Sequence, residues 1–343
     1  MLNDTRILAT VAAINHIHPI NGADAIECGV IRSWPVVIGK GQFHDGDEVL
    51  YIEPDAALPV SDPRFAFLAP RGTKTIDDVQ YHVLRTIRLR GQLSQGIVFP
   101  VADFPEAVGA SNIDEVLGIR LYEPPAPPLG ADQIAPWNLR WLKKTDAERV
   151  QNLSDEWLQS VDDGLWVATE KVDGSSITYA LDDADELHTY SRNWELSMAN
   201  PNATPMELAT RYDVRQWMLN RGVRALQGEM YGVGINANRL KASGHQLAVF
   251  AAWGLSDGEA VDKFPLLYDN PGKLEAVVRL DVPFPQTVDD ALALADGRAS
   301  AVNPKCLAEG IVWHHVGNAS FPELDFRLVF KAVSPAYLIK HGL

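Results

Sequence analysis

The sequence predicts an α+β chain of two domains, a small β-barrel of about five strands followed by a larger domain that mixes strands and helices. Three observations predict it. Short β-rich runs fill the first third and are separated by turn residues; a proline-rich stretch interrupts the chain at roughly residues 122–136; and beyond it amphipathic helical segments are interspersed with strands. Helices and strands that do not alternate strictly indicate an α+β layering and not a βαβ sheet.

The first domain rests on ILATVAAINHI, WPVVIGKG, DEVLYIE, YHVLRTIRLRG and GIVFPV, divided by NGAD, HDGD and LSQG. Short apolar runs with turn signals at this spacing close into a barrel. Arg85, Arg88 and Arg90 recur near its end, and by the strand period of two Arg88 and Arg90 share a face. They read either as a solvated strand edge or as a cationic track. The stretch YEPPAPPLGADQIAP holds four prolines in its first seven residues, which favour extended backbone and continue neither ladder nor helix. It reads as a linker, giving expected domains of 1–121 and 149–343 around a connection at 122–148. After it, TDAERVQNLSDEWLQSV and ELATRYDVRQWMLN have helical amphipathicity, whereas LWVATEKV, SITYALDD, LHTYSRN, LQGEMYGV, QLAVFAAWGL, EGIVWHH and FRLVFKAV read as strands.

The chain has 343 residues, 46% hydrophobic and 22% charged, enough for two packed cores. Cys28 and Cys306 lie far apart, so neither a disulfide framework nor a structural zinc site is expected, in keeping with a reducing compartment. No signal-peptide pattern opens the sequence and no apolar run is long enough to cross a bilayer. A cytoplasmic location is therefore expected, with no membrane partner. A net charge of −15 argues against non-specific coating of nucleic acid, but an acidic average can still contain a narrow basic groove. His16 and His18 can share a strand face, though no third metal ligand is evident. His314 and His315 are adjacent on a strand and point to opposite faces. A glycosylation sequon at 318–320 is idle without secretion.

Chemistry concentrates in Glu170-Lys171-Val172-Asp173-Gly174. A lysine at the end of an apolar strand becomes a nucleophile once burial or cationic neighbours lower its pKa, and the glycine permits the turn that presents it. No GxxxxGK[ST] or GxGxxG element is present, so neither a P-loop nor a Rossmann nucleotide site is supported, and if a nucleoside triphosphate is used its phosphates must be gripped by side chains.

Lys171-Val172-Asp173-Gly174 resembles motif I of the covalent nucleotidyltransferases, which include DNA ligases, RNA ligases and capping enzymes. The other motifs follow in order: Arg192 in TYSRNWEL resembles motif Ia, QGEMYG around Glu229 motif III, AVFAAWGL motif IIIa, Glu309 in EGIV motif IV, and Phe330-Lys331 motif V. VGINANRL strengthens the match to RNA ligases. Ser176 stands where DNA ligases carry arginine, and twelve residues follow Lys331, so no OB domain is expected after motif V. The barrel resembles the OB-type domains of some synthetases and of the Deinococcus-type RNA ligases.

The resemblance implies an OB-type barrel followed by an adenylyltransferase domain of antiparallel sheets and flanking helices. It implies an ATP-dependent RNA ligase, a monomer, that seals 3′-OH and 5′-phosphate ends through AMP on Lys171, with Mg²⁺ or Mn²⁺. The expected partners are RNA ends or nicked duplexes whose 3′-OH strand is RNA. Lys171, Lys331 and Glu309 are the implied catalytic residues; Glu170, Arg192, Glu229 and either Trp253 or Phe250 complete the nucleotide pocket, with Trp253 favoured by register. Glu309 and Glu229 are the implied metal ligands, and the metal and Lys331 are expected to depress the pKa of Lys171. Relatives often carry a second motif V lysine; Val329 stands there, and Arg327 is the candidate replacement. The rivals are a DNA ligase or guanylyltransferase of the same superfamily, and a non-catalytic OB-type RNA- or tRNA-binding protein.

Overall fold

The computed structural model describes residues 6–123, 129–142, 147–269, 272–317, 324 and 328–343. Parts of the proline-rich connection, Arg327 and the sequon at 318–320 lie outside the described residues. The chain divides into two compact units, one of residues 1–124, 151–157 and 335–343, the other of residues 125–150 and 158–334.

The first unit is built from twelve short strands among its described residues, where about five were expected. They are β1 (Ala9–Ala13), β2 (His16–Pro19), β3 (Ile26–Ile31), β4 (Trp34–Gly39), β5 (Glu48–Ile52), β6 (Ala56–Pro59), β7 (Lys74–Ile76), β8 (Val79–Val83), β9 (Ile87–Leu89), β10 (Gln92–Ser94), β11 (Ile97–Pro100) and β12 (Arg120–Leu121). They pair as β1-β5-β11, β2-β3-β4, β9-β10 and β12-β6-β8-β7. The run expected as one strand over ILATVAAINHI splits into β1 and β2, and YHVLRTIRLRG splits into β8 and β9. Strand β5 shows why this closes. Its alternating side chains serve two cores, Leu50 and Ile52 packing with Phe65 and Phe104, Val49 and Tyr51 with Trp34 and Ile31. Arg90 departs from the strand reading. It has φ +51 and precedes Gly91 at φ +85 in the two-residue turn between β9 and β10, so it does not share a strand face with Arg88. Arg85 donates to the Gly342 carbonyl. The rings of His16 and His18 stack 5.8 Å apart on β2. Helices α1 (Ile113–Leu117) and, after the second unit, α6 (Pro335–His341) belong to this unit.

The second unit contains two sheets. Strands β13 (Gln133–Pro136), β16 (Ser175–Leu181), β17 (Leu187–Tyr190), β18 (Trp194–Leu196), β19 (Ala225–Gly232), β20 (His245–Ser256) and β21 (Glu259–Asp262) form an antiparallel sheet in the order β13-β18-β17-β16-β19-β20-β21. Strands β14 (Glu148–Arg149), β15 (Trp166–Lys171), β22 (Gly310–His315) and β23 (Val329–Val333) form another, ordered β14-β23-β22-β15. All seven runs expected as strands after the linker are strands. The stretch around residues 145–161, expected as one helix, instead supplies β14 and then α2 (Asp155–Ser160). The second expected helix breaks into α3 (Thr204–Arg211) and α4 (Val214–Arg221), because Asp213 adopts φ +51, which an α-helix cannot continue.

Each sheet divides its labour by face. Ile177, Tyr179, Leu226, Met230, Leu247 and Val249 bury one side of the large sheet against Leu208, Trp217 and Met218 of the helices. The opposite side therefore carries the alternate residues, including Ser176, Gln227 and Glu229. On the smaller sheet, α5 (Val288–Ala295) packs against β22 and β23 through Val288, Ala291 and Ala295. A reciprocal cap starts α5: the Thr287 hydroxyl accepts from the Asp290 amide at 3.0 Å, and the Asp290 carboxylate accepts from the Thr287 amide at 3.1 Å. Among the described residues no helix is long and apolar enough to cross a membrane.

Candidate functional site

The site begins where β15 ends. Lys171 is its last residue and pairs with Gly310 at the start of β22, so Glu309, one residue before that strand, meets it. Lys171 Nζ donates to Glu309 Oε2 at 2.7 Å. Two glycines make this approach feasible. A Cβ on Gly310 would stand 2.2 Å from the Ala332 carbonyl oxygen of β23, and one on Gly174 would stand 2.1 Å from that of Met230 in β19.

Glu229 joins from the large sheet, opposite Ser176 on β16 and Ala248 on β20. Arg192, exposed in the turn between β17 and β18, is close enough for its charge to stabilise the Glu229 carboxylate. Lys331 lies mid-strand on β23, 5% exposed, opposite Val312, which in turn opposes Thr169 on β15. Residues in such a cross-strand row share a face, and Lys171 is two residues from Thr169, so Lys331 and Lys171 look the same way. Parallel pairing adds a cation that sequence reasoning missed, because Arg149 opposes Lys331. Nothing in the local periodicity marked it; its place comes from a two-residue strand inside a stretch with helical amphipathicity.

Charge sets the protonation of these groups. Burial alone would lower the pKa of Lys171, but the carboxylates of Glu309, Glu229 and Asp173 more than offset it and raise the pKa well above the usual range. The protein's own residues thus favour the Lys171 ammonium, so the expected depression is left to a bound cation. Burial likewise raises Glu309, against the opposing pull of Lys171. The Glu229 carboxyl is pushed up to about 8, first by burial, with Lys171 opposing and Glu309 and Asp173 adding to it.

That last shift has a measurable consequence. Between its unfolded value of 4.5 and about 8 the folded state binds the proton more tightly than the unfolded chain does. Stability contributed by this proton is present at low pH and is lost as pH rises through the window. The ligand- and metal-free protein is expected to melt at a lower temperature at pH 8.5 than at pH 6, and Glu229→Gln should flatten the fall. Part of the slope will persist through Glu309. An unchanged slope in the variant would contradict the burial of a neutral Glu229.

The remaining expected residues fall in different places. Glu170, expected at the nucleotide, is on the other face of β15 by the period of two. Its carboxylate is buried and accepts from Ser300 Oγ at 2.5 Å and the Ala301 amide at 2.6 Å. Trp253 is buried with Tyr190, Ala225 and Ala251, its indole donating to Gln227 Oε1 at 2.9 Å. Phe250 is half-buried at a bulge, because Gln227 opposes Ala251 while Gly228 opposes Val249. It packs against the cluster around Trp253 and also against Val172, Tyr231 and Ala248, beside the Glu229 row. His314 accepts or donates a bond with Thr169 Oγ1 at 3.0 Å, and His315 contacts Gly317.

Comparison with known proteins agrees with this arrangement. An OB-fold domain family matches residues 8–101 and the RNA ligase family matches residues 164–333. The Naegleria gruberi RNA ligase with PPi superposes with a TM-score of 0.84 at 34% sequence identity, covering 98% of this chain and 99% of that chain. Variants of the same ligase with AMP and Mn, and with ATP and Mn, each superpose with a TM-score of 0.83 at 34% identity over 98% of this chain and 99% of theirs. No curated protein matches the chain. The family match over the second unit and the likeness to a ligase along nearly the whole length agree: this chain belongs to the RNA ligase family and carries an OB-fold domain ahead of its ligase domain.

Proposed function

We propose that the protein is an ATP-dependent RNA ligase that seals 3′-OH and 5′-phosphate ends through AMP carried on Lys171, and that nicks with RNA on the 3′-OH side are its substrates. The observation that carries this reading is the 2.7 Å pair between Lys171 and Glu309, set among Glu229, Asp173 and Lys331. The related Naegleria gruberi enzyme with ATP, with AMP and with PPi supports the same nucleotide here.

In the first step the neutral Lys171 amine attacks the α-phosphorus of ATP. An N–P bond forms, the bond to the bridging oxygen breaks, and pyrophosphate leaves; the amine gives up one proton. In the second step a 5′-phosphate oxygen attacks the same phosphorus, the N–P bond breaks and the nitrogen takes up one proton, returning Lys171 to the amine. In the third the 3′-OH attacks the activated 5′-phosphate, a phosphodiester forms and AMP leaves.

Glu309 and Glu229 suit a hard divalent cation, since both offer carboxylate oxygen. Among the described residues no three His, Cys, Asp or Glu side chains form a ready cage, which fits an ion that keeps several waters and phosphate oxygens. When bound, such an ion supplies positive charge that favours neutral Lys171 and offsets charge on the α-phosphate. Lys331 and Arg149 act on the same phosphates from their shared sheet face. Glu229 holds the ribose hydroxyls and Arg192 the nucleoside or the acceptor end.

For adenine, Phe250 is the better-situated aromatic and Trp253 supports the sheet beneath it. Phe250→Ala should weaken ATP binding about tenfold or more, by loss of a stacking contact of about 1–3 kcal/mol. Trp253→Ala should instead lower stability by about 3–5 kcal/mol. Titrating ATP and measuring Tm for both variants checks the assignment; the reverse pattern would restore Trp253 as the stacking residue.

The test of the whole reading uses α-labelled ATP or GTP with Mg²⁺ or Mn²⁺, followed by nicked duplexes with RNA or DNA at the 3′-OH and by free single strands. A covalent AMP adduct and faster sealing of the RNA-ended nick are expected. No adduct with either nucleotide would favour a binding protein. Sealing of free single strands alone would sink the nick assignment.

A further inference from the structure

The turn that presents Lys171 is held from three sides by residues outside the nucleotide pocket. On one side is buried Glu170, tied to Ser300 Oγ and the Ala301 amide. Ser300 Oγ also accepts from the Val302 amide at 3.1 Å and the Asn303 amide at 3.2 Å, closing a tight turn over 300–303. On the other side Arg239 Nη1 donates to Asp173 Oδ2 at 2.6 Å, and Asn236 Nδ2 donates to Asp173 Oδ1 at 3.2 Å and to the Gly174 carbonyl. Between them Val172 is buried with Leu240, Val302 and Cys306. Lys171, in the same five-residue stretch, donates to Glu309.

The two outer loops are joined to each other. Asn303 Nδ2 donates to the Leu240 carbonyl at 2.9 Å, linking the turn that grips Glu170 to the loop that grips Asp173. That loop is conformationally expensive. Asn236, Ala237 and Asn238 have φ of +42, +56 and +47 in succession. Asparagine tolerates this region, but alanine gains nothing from it and costs about 1 kcal/mol or more. Asn238 offsets part of that by bonding Ala242 twice, through its Nδ2 to the carbonyl and its Oδ1 to the amide. The result of the strain is that Asn236 and Arg239 both reach Asp173.

We propose that the 236–240 loop and the 300–303 turn, joined by Asn303, form one brace that sets the position of Lys171, and that Ser300, Asn303, Asn236 and Arg239 are positioning residues for the two steps in which the Lys171–phosphorus bond is made and broken. This rests on the reading of Lys171 as the nucleophile. The brace acts because an attacking atom displaced by about 1 Å can lose on the order of 10²-fold in rate. A single side chain on a flexible stem, between carboxylates that attract it, needs its backbone fixed if the amine is to meet one phosphorus atom.

The chemistry supplies a test that general damage to the fold would not pass. Lys171 forms no bond to phosphorus when a nick already carries a 5′-adenylylated end, so a brace for Lys171 is dispensable there. Asn303→Ala and Arg239→Ala should each slow formation of the AMP adduct in single-turnover measurements by about tenfold or more. The ATP concentration for half-maximal rate should change by less than about twofold, since neither residue is placed at the nucleotide. Sealing of a pre-adenylylated nick should stay at the wild-type rate, and Arg239→Lys should recover part of the loss. The double variant should be little slower than the slower single one, because both changes break the same device. Equal losses in adduct formation and in sealing of the pre-adenylylated nick, or multiplicative losses in the double variant, would overturn the brace. If the unaltered protein forms no adduct at all, the failure lies with the nucleophile assignment and not with the brace.

Discussion

Replacing Lys171 with alanine is expected to remove the AMP adduct altogether and to reduce sealing of an unactivated nick by on the order of 10⁴-fold or more. The neighbouring cations differ from it in place or chemistry: Lys331 lies mid-strand on β23, and Arg149 carries a planar guanidinium and not an amine. The loss should be confined to chemistry at the lysine, so the variant should still join a pre-adenylylated nick at a measurable rate. An alkaline-stable protein–AMP adduct in Lys171→Ala would mean that another side chain carries the nucleotide. The change also removes the Lys171 charge that opposes the raised pKa of Glu309 and Glu229. Both should then bind protons more readily, and the fall of stability with rising pH should extend above about pH 8, the value to which Glu229 is already raised.

Glu309→Gln sets two effects against each other, and their sizes decide the outcome. Glu309 is the carboxylate bonded to Lys171 and the charge that raises the lysine pKa most. Removing that charge increases the neutral amine at pH 7 about tenfold for every unit by which the pKa falls. The same change removes an anionic oxygen proposed to hold the divalent cation, and loss of one well-placed electrostatic group at a reacting phosphoryl centre is worth about 10²–10³-fold. The second effect is expected to prevail. Adduct formation should fall about 10²-fold at saturating ATP and recover in part as Mn²⁺ is raised. A variant faster than the unaltered protein at pH 7 would make Glu309 a restraint on the lysine and remove it from the proposed metal site.

The contrast between these two residues and their neighbours separates what was legible in the sequence from what was not. Lys171, Glu309 and Glu229 were named from motif order, and the fold brings all three together around one ion pair. The strand runs that carry them were equally legible, since apolar alternation survives any tertiary arrangement. Glu170 shows the limit of adjacency. It is next to Lys171 in the chain, yet the pleat turns its carboxylate to the far side of the sheet and onto Ser300. Trp253 is buried and bonded to Gln227, whereas Phe250 sits half-buried at the bulge opposite Gln227 and Gly228, a register shift that no residue frequency announces.

The sequence by itself determined the fold class, the strands that carry Lys171, Glu229 and Lys331, and the residue types of the charged centre. These follow from local periodicity and short motifs, which depend on near neighbours. Only the tertiary structure decided that Lys171 pairs with Glu309 beside Glu229, that Arg149 stands beside Lys331, and that Asn303 joins two loops on either side of the nucleophile. Each of these depends on contacts between residues tens to more than a hundred positions apart. Coulomb energy and hydrogen bonds act over a few ångströms of space, and the folded chain alone sets those distances.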